Sequence, residues 1–335
     1  MIRIEDISHR YTGRRGQPGR LALDALSMEV PAGAFCVLSG PNGSGKSTLF
    51  RLLCGLARPS AGKLWLTLPE GQPIDIAADP AAARAHLGVV FQSPAVDRQL
   101  SVAENLAIHA DLYGLKGAER QARRDEALAW TDLANRLNER VETLSGGLMR
   151  QVELAKVLMT RPSVLLLDEP TSGLDPASRR AFIKALTTLK EERGLTVLMT
   201  SHVFSEAGEA DSVAILCDGR LLAHDTPRNL KSRVGREMVV VEPAEGCDLQ
   251  ALAGDLAASA PDIPPRVYGE EIRLEDLPPG RSVALIKTIL ENHRHCIAGV
   301  AVREPSLEDV FVHVTGKGLP DAPDSPPTSQ DERAA

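Results

Sequence analysis

The chain has 335 residues, 43% hydrophobic and 25% charged, with a formal net charge of −7. That length allows one large and one small domain. The acidic balance, with no basic block, argues against a nucleic-acid-binding face, so no nucleic-acid partner is expected. Aromatics make up only 3%, which leaves the core to Leu, Val, Ile and Ala. The five cysteines, Cys36, Cys54, Cys217, Cys247 and Cys296, show no paired spacing and read as reduced thiols. The opening MIRIEDISHRY has no apolar signal core, and no stretch reaches the ~18–20 apolar residues of a membrane span.

Residues 1–30 alternate apolar and polar positions (Ile2, Ile4, Ile7, then Leu23, Leu26, Met28, Val30). This predicts two strands split by the turn-rich insert GRRGQPGR. AFCVLSG predicts a buried strand running into a loop, and Thr48–Leu56 a helix ended by Gly55 and Pro59. Residues 98–142 place apolar side chains at i, i+3 and i+4 and predict a helical insert, charged and Ala-rich through Asn138. SVLLLDEP (163–170) and LTVLMTSH (195–202) predict two more buried strands. Strands alternating with helices predict an α/β fold whose mostly parallel sheet is covered on both faces. Near residue 235 the pattern restarts as strand, helix, strand, helix, strand, which predicts a small α+β domain over 235–316. The Pro-, Asp- and Ser-rich tail, 317–335, predicts disorder.

The stretch Gly40-Pro41-Asn42-Gly43-Ser44-Gly45-Lys46-Ser47-Thr48 matches G-x-x-x-x-G-K-[ST] between a predicted strand and a predicted helix. Glycines there let backbone N–H groups wrap a phosphate without side-chain clash. Lys46 can reach the β- and γ-phosphates, and Ser47 can offer a hydroxyl to Mg²⁺. Asp168 ends the apolar run VLLLD, at the carboxyl edge of the predicted sheet, where ligands bind in such folds. It is placed to hold Mg²⁺, directly or through water, and Glu169 beside it to polarise an attacking water. These parts define a Mg²⁺-dependent NTPase and no more than that. A second anion-binding helix start is written in LSGGLMR (144–150), about a hundred residues after the first.

Taken in order, FQ (91–92), LSGG (144–147), the Asp168-Glu169 strand, SGLD (172–175) and TSH (200–202) closely resemble the ATP-binding cassette (ABC) ATPases over residues 1–230. The resemblance implies a P-loop NTPase cassette with a mixed, mostly parallel sheet and a helical subdomain over about 93–150. It implies ATP as the nucleotide. It also implies that Tyr11 stacks on adenine, Gln92 senses Mg²⁺ and water, and His202 contacts the γ-phosphate. Ser145, Gly146 and Gly147 then meet the γ-phosphate held by a second copy of the chain, and Asp175 lies in the loop that crosses between the copies. Tyr11 also reads as an edge-strand tyrosine. Asp175-Pro176 also reads as a helix start, and both roles are compatible. Leu148 departs from the Gln common after LSGG, while Ser145, Gly146 and Gly147 are intact.

PSLEDVFVHVTG (305–316) resembles the ending of the daunorubicin-exporter branch, and it also reads as an ordinary final strand and helix. The branch resemblance implies a peripheral subunit at the cytoplasmic face of the inner membrane, paired with a separate integral-membrane permease. A regulatory ABC ATPase is one rival reading. The other is a non-transport cassette, of the translation type or of the DNA-repair type. The first normally carries two cassettes in one chain and the second a long coiled coil, and neither feature is present here.

Overall fold

The computed structural model describes residues 1–13, 19–68, 71–278 and 280–315. Most of the GRRGQPGR insert and the tail expected to be disordered lie outside the described residues. The chain divides into two compact units, residues 1–230 and residues from 231 onward.

The first unit opens with β1 (Ile2–Arg10), β2 (Leu21–Val30), β3 (Phe35–Ser39) and α1 (Lys46–Leu53). β4 (Ala61–Leu66), β5 (Ile74–Asp75), α2 (Pro80–Arg84) and β6 (Leu87–Val90) follow. The insert holds α3 (Val102–Leu112), α4 (Gly117–Leu128) and α5 (Gly146–Leu158). The unit then runs through β7 (Val164–Asp168), α6 (Pro176–Arg193), β8 (Thr196–Ser201), β9 (Ser212–Cys217) and β10 (Arg220–Asp225), and α7 (Pro227–Ser232) spans the division.

Two sheets enclose α1. The first is antiparallel, in the order β2-β1-β4-β5. The second runs β10-β9-β3-β8-β7-β6, all parallel except for the β10–β9 hairpin. Ile2, Ile4, Leu23 and Leu64 of the first sheet share one core with Leu49, Phe50 and Leu53 of α1 and with Leu38, Leu166 and Leu198 of the second. Each fully buried leucine contributes about 1.5–3 kcal/mol of transfer free energy. The four apolar residues of β7 are all buried because helices cover both faces of a parallel sheet.

The registers place the carboxyl ends of the parallel strands on one line. Ser39 pairs with Ser201, Asp168 with Thr200, and Val90 with Leu167. All the loops that follow β3, β6, β7 and β8 therefore leave the sheet at a single edge.

Two expected elements differ. The helix expected over Thr48–Leu56 spans Lys46–Leu53, because Gly45 caps it at a φ of 110° and Gly55 turns the chain out at 64°. The helical pattern expected through Asn138 stops at Leu128. Beyond it, backbone groups are claimed by tertiary partners. The Asp132 N–H donates to Gln151 Oε1 at 2.7 Å, and the carbonyls of Leu137 and Glu139 accept from Ala103 and Val102.

The second unit has an antiparallel sheet in the order β12-β13-β11-β14, formed by β11 (Met238–Pro243), β12 (Pro265–Tyr268), β13 (Glu271–Leu274) and β14 (Ile297–Arg303). Helices α8 (Leu249–Ser259), α9 (Arg281–His293) and α10 (Leu307–Thr315) complete it. In the PSLEDVF stretch, buried Asp309 closes the start of α10 with Ser306 and accepts from Arg273 Nη1 at 2.7 Å and Arg303 Nη2 at 3.2 Å.

Candidate active site

The loop after β3 is shaped by what its glycines avoid. A Cβ on Gly40 would lie 2.2 Å from the Leu216 carbonyl oxygen, and one on Gly45 would lie 2.8 Å from that of Ala22. Both glycines have positive φ, so a side chain would be strained as well as blocked. Lys46 is buried and donates from Nζ to the carbonyls of Gly40 (2.6 Å) and Pro41 (3.1 Å). Burial pulls its ammonium below the usual lysine range, against the opposing pull of Glu169 and Asp168. Pro41, Asn42 and Gly43 form the rim, and Arg20 Nη2 donates to the Gly43 carbonyl at 3.1 Å. Buried Ser44 Oγ has no hydrogen-bond partner among the described residues. Ser47 is exposed at the start of α1. Thr48 Oγ1 lies 3.0 Å from the Tyr11 hydroxyl.

The start of α1 fits an anion. The N-terminal N–H groups of α2, α3, α5 and α6 are capped by Asp79, Ser101, Ser145 and Asp175. That of α1 follows Gly45, which has no side chain to offer, and its first turn carries no acid. Uncapped donors beside a buried lysine suit a phosphate group.

Across the sheet edge, Asp168 Oδ1 accepts from Thr200 Oγ1 at 2.7 Å. Burial pushes the Asp168 carboxyl above its usual range, and the Thr200 hydrogen bond and Lys46 oppose this. Thr200 Oγ1 also accepts from the Glu169 N–H at 2.9 Å. Glu169 sits at a φ of 44°, a left-handed backbone costing about 1–3 kcal/mol in a non-glycine residue. The Thr200 bond and the Ser172 N–H donating to the Glu169 carbonyl (3.1 Å) hold it there. Turned this way, Glu169 Oε2 accepts from Gln92 Nε2 at 3.2 Å and lies 3.2 Å from His202 Nδ1. The loops after β6, β7 and β8 thus converge on one carboxylate, next to the glycine-rich loop after β3.

Among the described residues no cluster of three His, Cys, Asp or Glu side chains could hold a metal by itself. One carboxylate (Asp168), one hydroxyl (Ser47) and one amide (Gln92) make a partial oxygen set. That suits Mg²⁺, which is commonly shared between one or two carboxylates, water and substrate phosphates.

The family model described as ABC transporter matches residues 23–172. The chain is 33% identical over 318 residues to the daunorubicin resistance ATP-binding protein DrrA2 of Streptomyces coeruleorubidus, across 94% of this chain and 95% of that one. It is 31% identical over 322 residues to the Nod factor export ATP-binding protein I of Rhizobium etli, across 95% and 94%. The chain belongs to the ABC transporter family. It is an ATP-binding, ATP-hydrolysing subunit. A solved dimeric ABC cassette in a post-hydrolysis state, bound to ADP and Pi, matches with a TM-score of 0.58 at 26% identity. That match covers 68% of this chain and 98% of that one. The two relatives therefore extend over most of the second unit, whereas the solved cassette covers a smaller share of the chain.

In this ABC ATPase the remaining expected site residues lie elsewhere on the first unit. Ser145 Oγ accepts from the Leu148 N–H at 3.3 Å and caps α5. Gly146 faces Leu174, and a Cβ on Gly147 would meet Ser178 Oγ at 2.9 Å, so this helix start packs on the start of α6. Asp175 Oδ1 accepts from Ala177 and Ser178 N–H groups at 3.0 Å, the helix-cap role its Pro176 neighbour indicated. Among the described residues, no hydrogen bond or ion pair joins 144–148 to the 40–48 loop. Tyr11, 39% exposed as a residue, stands beside Thr48 with its ring edge-on to His9.

Sequence reasoning missed three parts of the ABC site. Thr200 stands in the quoted TSH, but its bridge between Asp168 and Glu169 depends on strand register. Glu206, 4% exposed, accepts from Thr171 Oγ1 and Ser201 Oγ, both at 2.6 Å, and lies 3.3 Å from Arg179 Nε. It ties the loop after β7 to the loop after β8. Arg150 and Glu153 hold the loop of Gln92. Their i, i+3 spacing was visible in the sequence, but their burial was not.

Proposed function

We propose that this chain powers an exporter as a head-to-tail pair that sandwiches two ATP molecules and docks on a separate membrane permease. In each site one copy supplies Lys46, Ser47, Gln92, Asp168, Glu169 and His202. The other supplies the α5 start at Ser145, Gly146 and Gly147, with Asp175 near the crossing. Among the described residues no hydrogen bond or ion pair joins the second helix start to the 40–48 loop of the same chain, which supports the two-copy reading.

Lys46 places its positive charge against the β- and γ-phosphates. Ser47, Asp168 and Gln92 would hold Mg²⁺, which when bound neutralises charge on the phosphate oxygens. Glu169 polarises the attacking water and takes its proton on a carboxylate oxygen. Gln92 and His202 hold that carboxylate and the water in line. ATP closes the dimer, and loss of the γ-phosphate releases it.

The observation that carries the transport reading is an apolar groove next to Gln92. A cavity of about 240 Å³ is lined by Leu56, Phe91, His109 and Tyr113, and the exposed faces of Leu56, Phe91 and Tyr113 open it to solvent. No described helix is long and apolar enough to cross a membrane. The export and drug-resistance names of the relatives support a permease element as the occupant of this groove and the cytoplasmic membrane face as the location. The relatives' names, daunorubicin resistance and Nod factor export, favour a hydrophobic or glycan-like cargo. A tagged chain should recover an integral-membrane permease from detergent-solubilised membranes, and Tyr113→Asp should lose it while still binding ATP. Recovery of ribosomes or DNA instead would overturn the transport reading.

A further inference from the structure

Two buried side chains on α5 hold the loop that carries Gln92. Arg150 and Glu153 are 4% and 3% exposed and pair at 2.6 Å. Arg150 Nη1 also donates to the Phe91 carbonyl at 2.8 Å, and its Nη2 donates to the Gln92 carbonyl. Glu153 Oε1 accepts from the Ala95 N–H at 2.6 Å, and Lys156 Nζ donates to the Ala95 carbonyl. Residues 91–95 form no helix or strand of their own. Their backbone is therefore fixed by the side chains of one neighbouring helix.

Stability alone does not require this arrangement. Well-packed apolar residues of similar volume commonly replace a buried ion pair at no loss. The pair supplies direction instead. A planar guanidinium bonding two consecutive carbonyls sets both the path and the orientation of the chain at Gln92. The Gln92 side chain, leaving from that point, reaches Glu169 Oε2 at 3.2 Å. The same helix begins at Gly146, capped by Ser145, about one turn before Arg150.

We propose that Arg150 and Glu153 are positioning residues that transmit occupancy of the Ser145–Gly147 helix start to Gln92, coupling the two ATP sites of the dimer. The proposal rests on the reading that this helix start faces the partner's nucleotide. When the partner's γ-phosphate draws in the start of α5, the 91–95 backbone follows because it is bonded to that helix. Gln92 is thereby brought to Glu169 in the chain's own site. The Gln92–Glu169 contact is the interaction that differs between the two states, as any coupling requires. Each nucleotide then favours the competent arrangement of the other site, which is positive cooperativity.

The test is the double variant Arg150→Met with Glu153→Leu, which avoids stranding one buried charge. ATP affinity of the monomer, hydrolysis and its dependence on ATP concentration are measured on the full chain. Monomer affinity should stay within about twofold, kcat should fall at least about tenfold, and the Hill coefficient should drop from above 1 to 1. Arg150→Lys, which keeps one charged donor, should restore part of kcat and of the cooperativity. An unchanged Hill coefficient in the double variant overturns the proposal. If the double variant does not fold, wild-type cooperativity in Arg150→Lys overturns it instead. Absence of ATP-driven dimers in the Glu169→Gln chain overturns the two-copy reading and the coupling with it. Dimers that keep wild-type cooperativity without the pair overturn the coupling alone.

Discussion

His202 Nδ1 lies 3.2 Å from Glu169 Oε2, the oxygen that also accepts from Gln92. Three loops from three strands meet at this one atom. A carboxylate gripped from two sides and set on a strained backbone is prepared for one orientation, at a cost borne by the Thr200 and Ser172 hydrogen bonds.

Glu169→Gln keeps the size of the side chain and removes its basicity. The variant should bind ATP normally, hydrolyse it about 10²–10⁴-fold more slowly, and accumulate as a dimer. Phosphate release and size-exclusion chromatography with ATP check this. Wild-type turnover would remove Glu169 from the catalytic role.

Gly146→Asp tests the second helix start. The nearest atom to a Cβ there is Leu174 Cδ2 at an ordinary 3.5 Å, so the fold should tolerate the change. A carboxylate at this N-terminus would repel an incoming γ-phosphate. ATP binding by the monomer should be unchanged and ATP-driven dimerisation lost, read by equilibrium binding and light scattering. A concurrent loss of monomer binding would place this helix in the chain's own site.

Glu206→Ala should destabilise the first unit by about 1–3 kcal/mol, because it leaves the buried Thr171 hydroxyl without its acceptor and takes the carboxylate from Arg179, while Ser201 Oγ keeps its bonds to Val203. Glu206→Gln, which keeps hydrogen bonding to Thr171 and Ser201, should lose less. Denaturant midpoints for the two variants give the comparison. Equal losses would mean that charge, and not the hydroxyl links, holds the two loops.

His109 should make the protein acid-sensitive. Burial, and to a smaller extent Lys156, pulls its pKa from 6.5 down to about 4. Between those values the unfolded chain binds a proton that the folded chain excludes. Stability therefore rises with pH across this window and is lost as pH falls from about 6.5 toward 4. His109→Phe should flatten urea midpoints over that range. An identical slope in the variant would assign the acid sensitivity to other groups.

Much of the site could be read from residue order alone. GPNGSGKST carries its own geometry, because its glycines, lysine and hydroxyls are neighbours in the chain and act as one local loop. VLLLDEP carries its own depth, because a fully apolar strand ending in acids has to surface at a sheet edge. The capping role of Asp175 was legible for the same local reason. The second unit's hairpin partner, β12, was not legible. PRVY is short and partly exposed, and only pairing with β13 makes it a strand.

Chain-local chemistry therefore determined the glycine-rich loop after β3, the carboxylates at the end of β7, the helix starts and the α/β class, since each depends on residues a few positions apart. Only the tertiary structure decided that Thr200 bridges Asp168 to Glu169, that Glu206 ties two loops together, and that Arg150 and Glu153 clamp the backbone at Gln92. Those contacts join residues 31 to 59 positions apart. Strand register and burial bring them together, and neither is written in any short stretch of the chain.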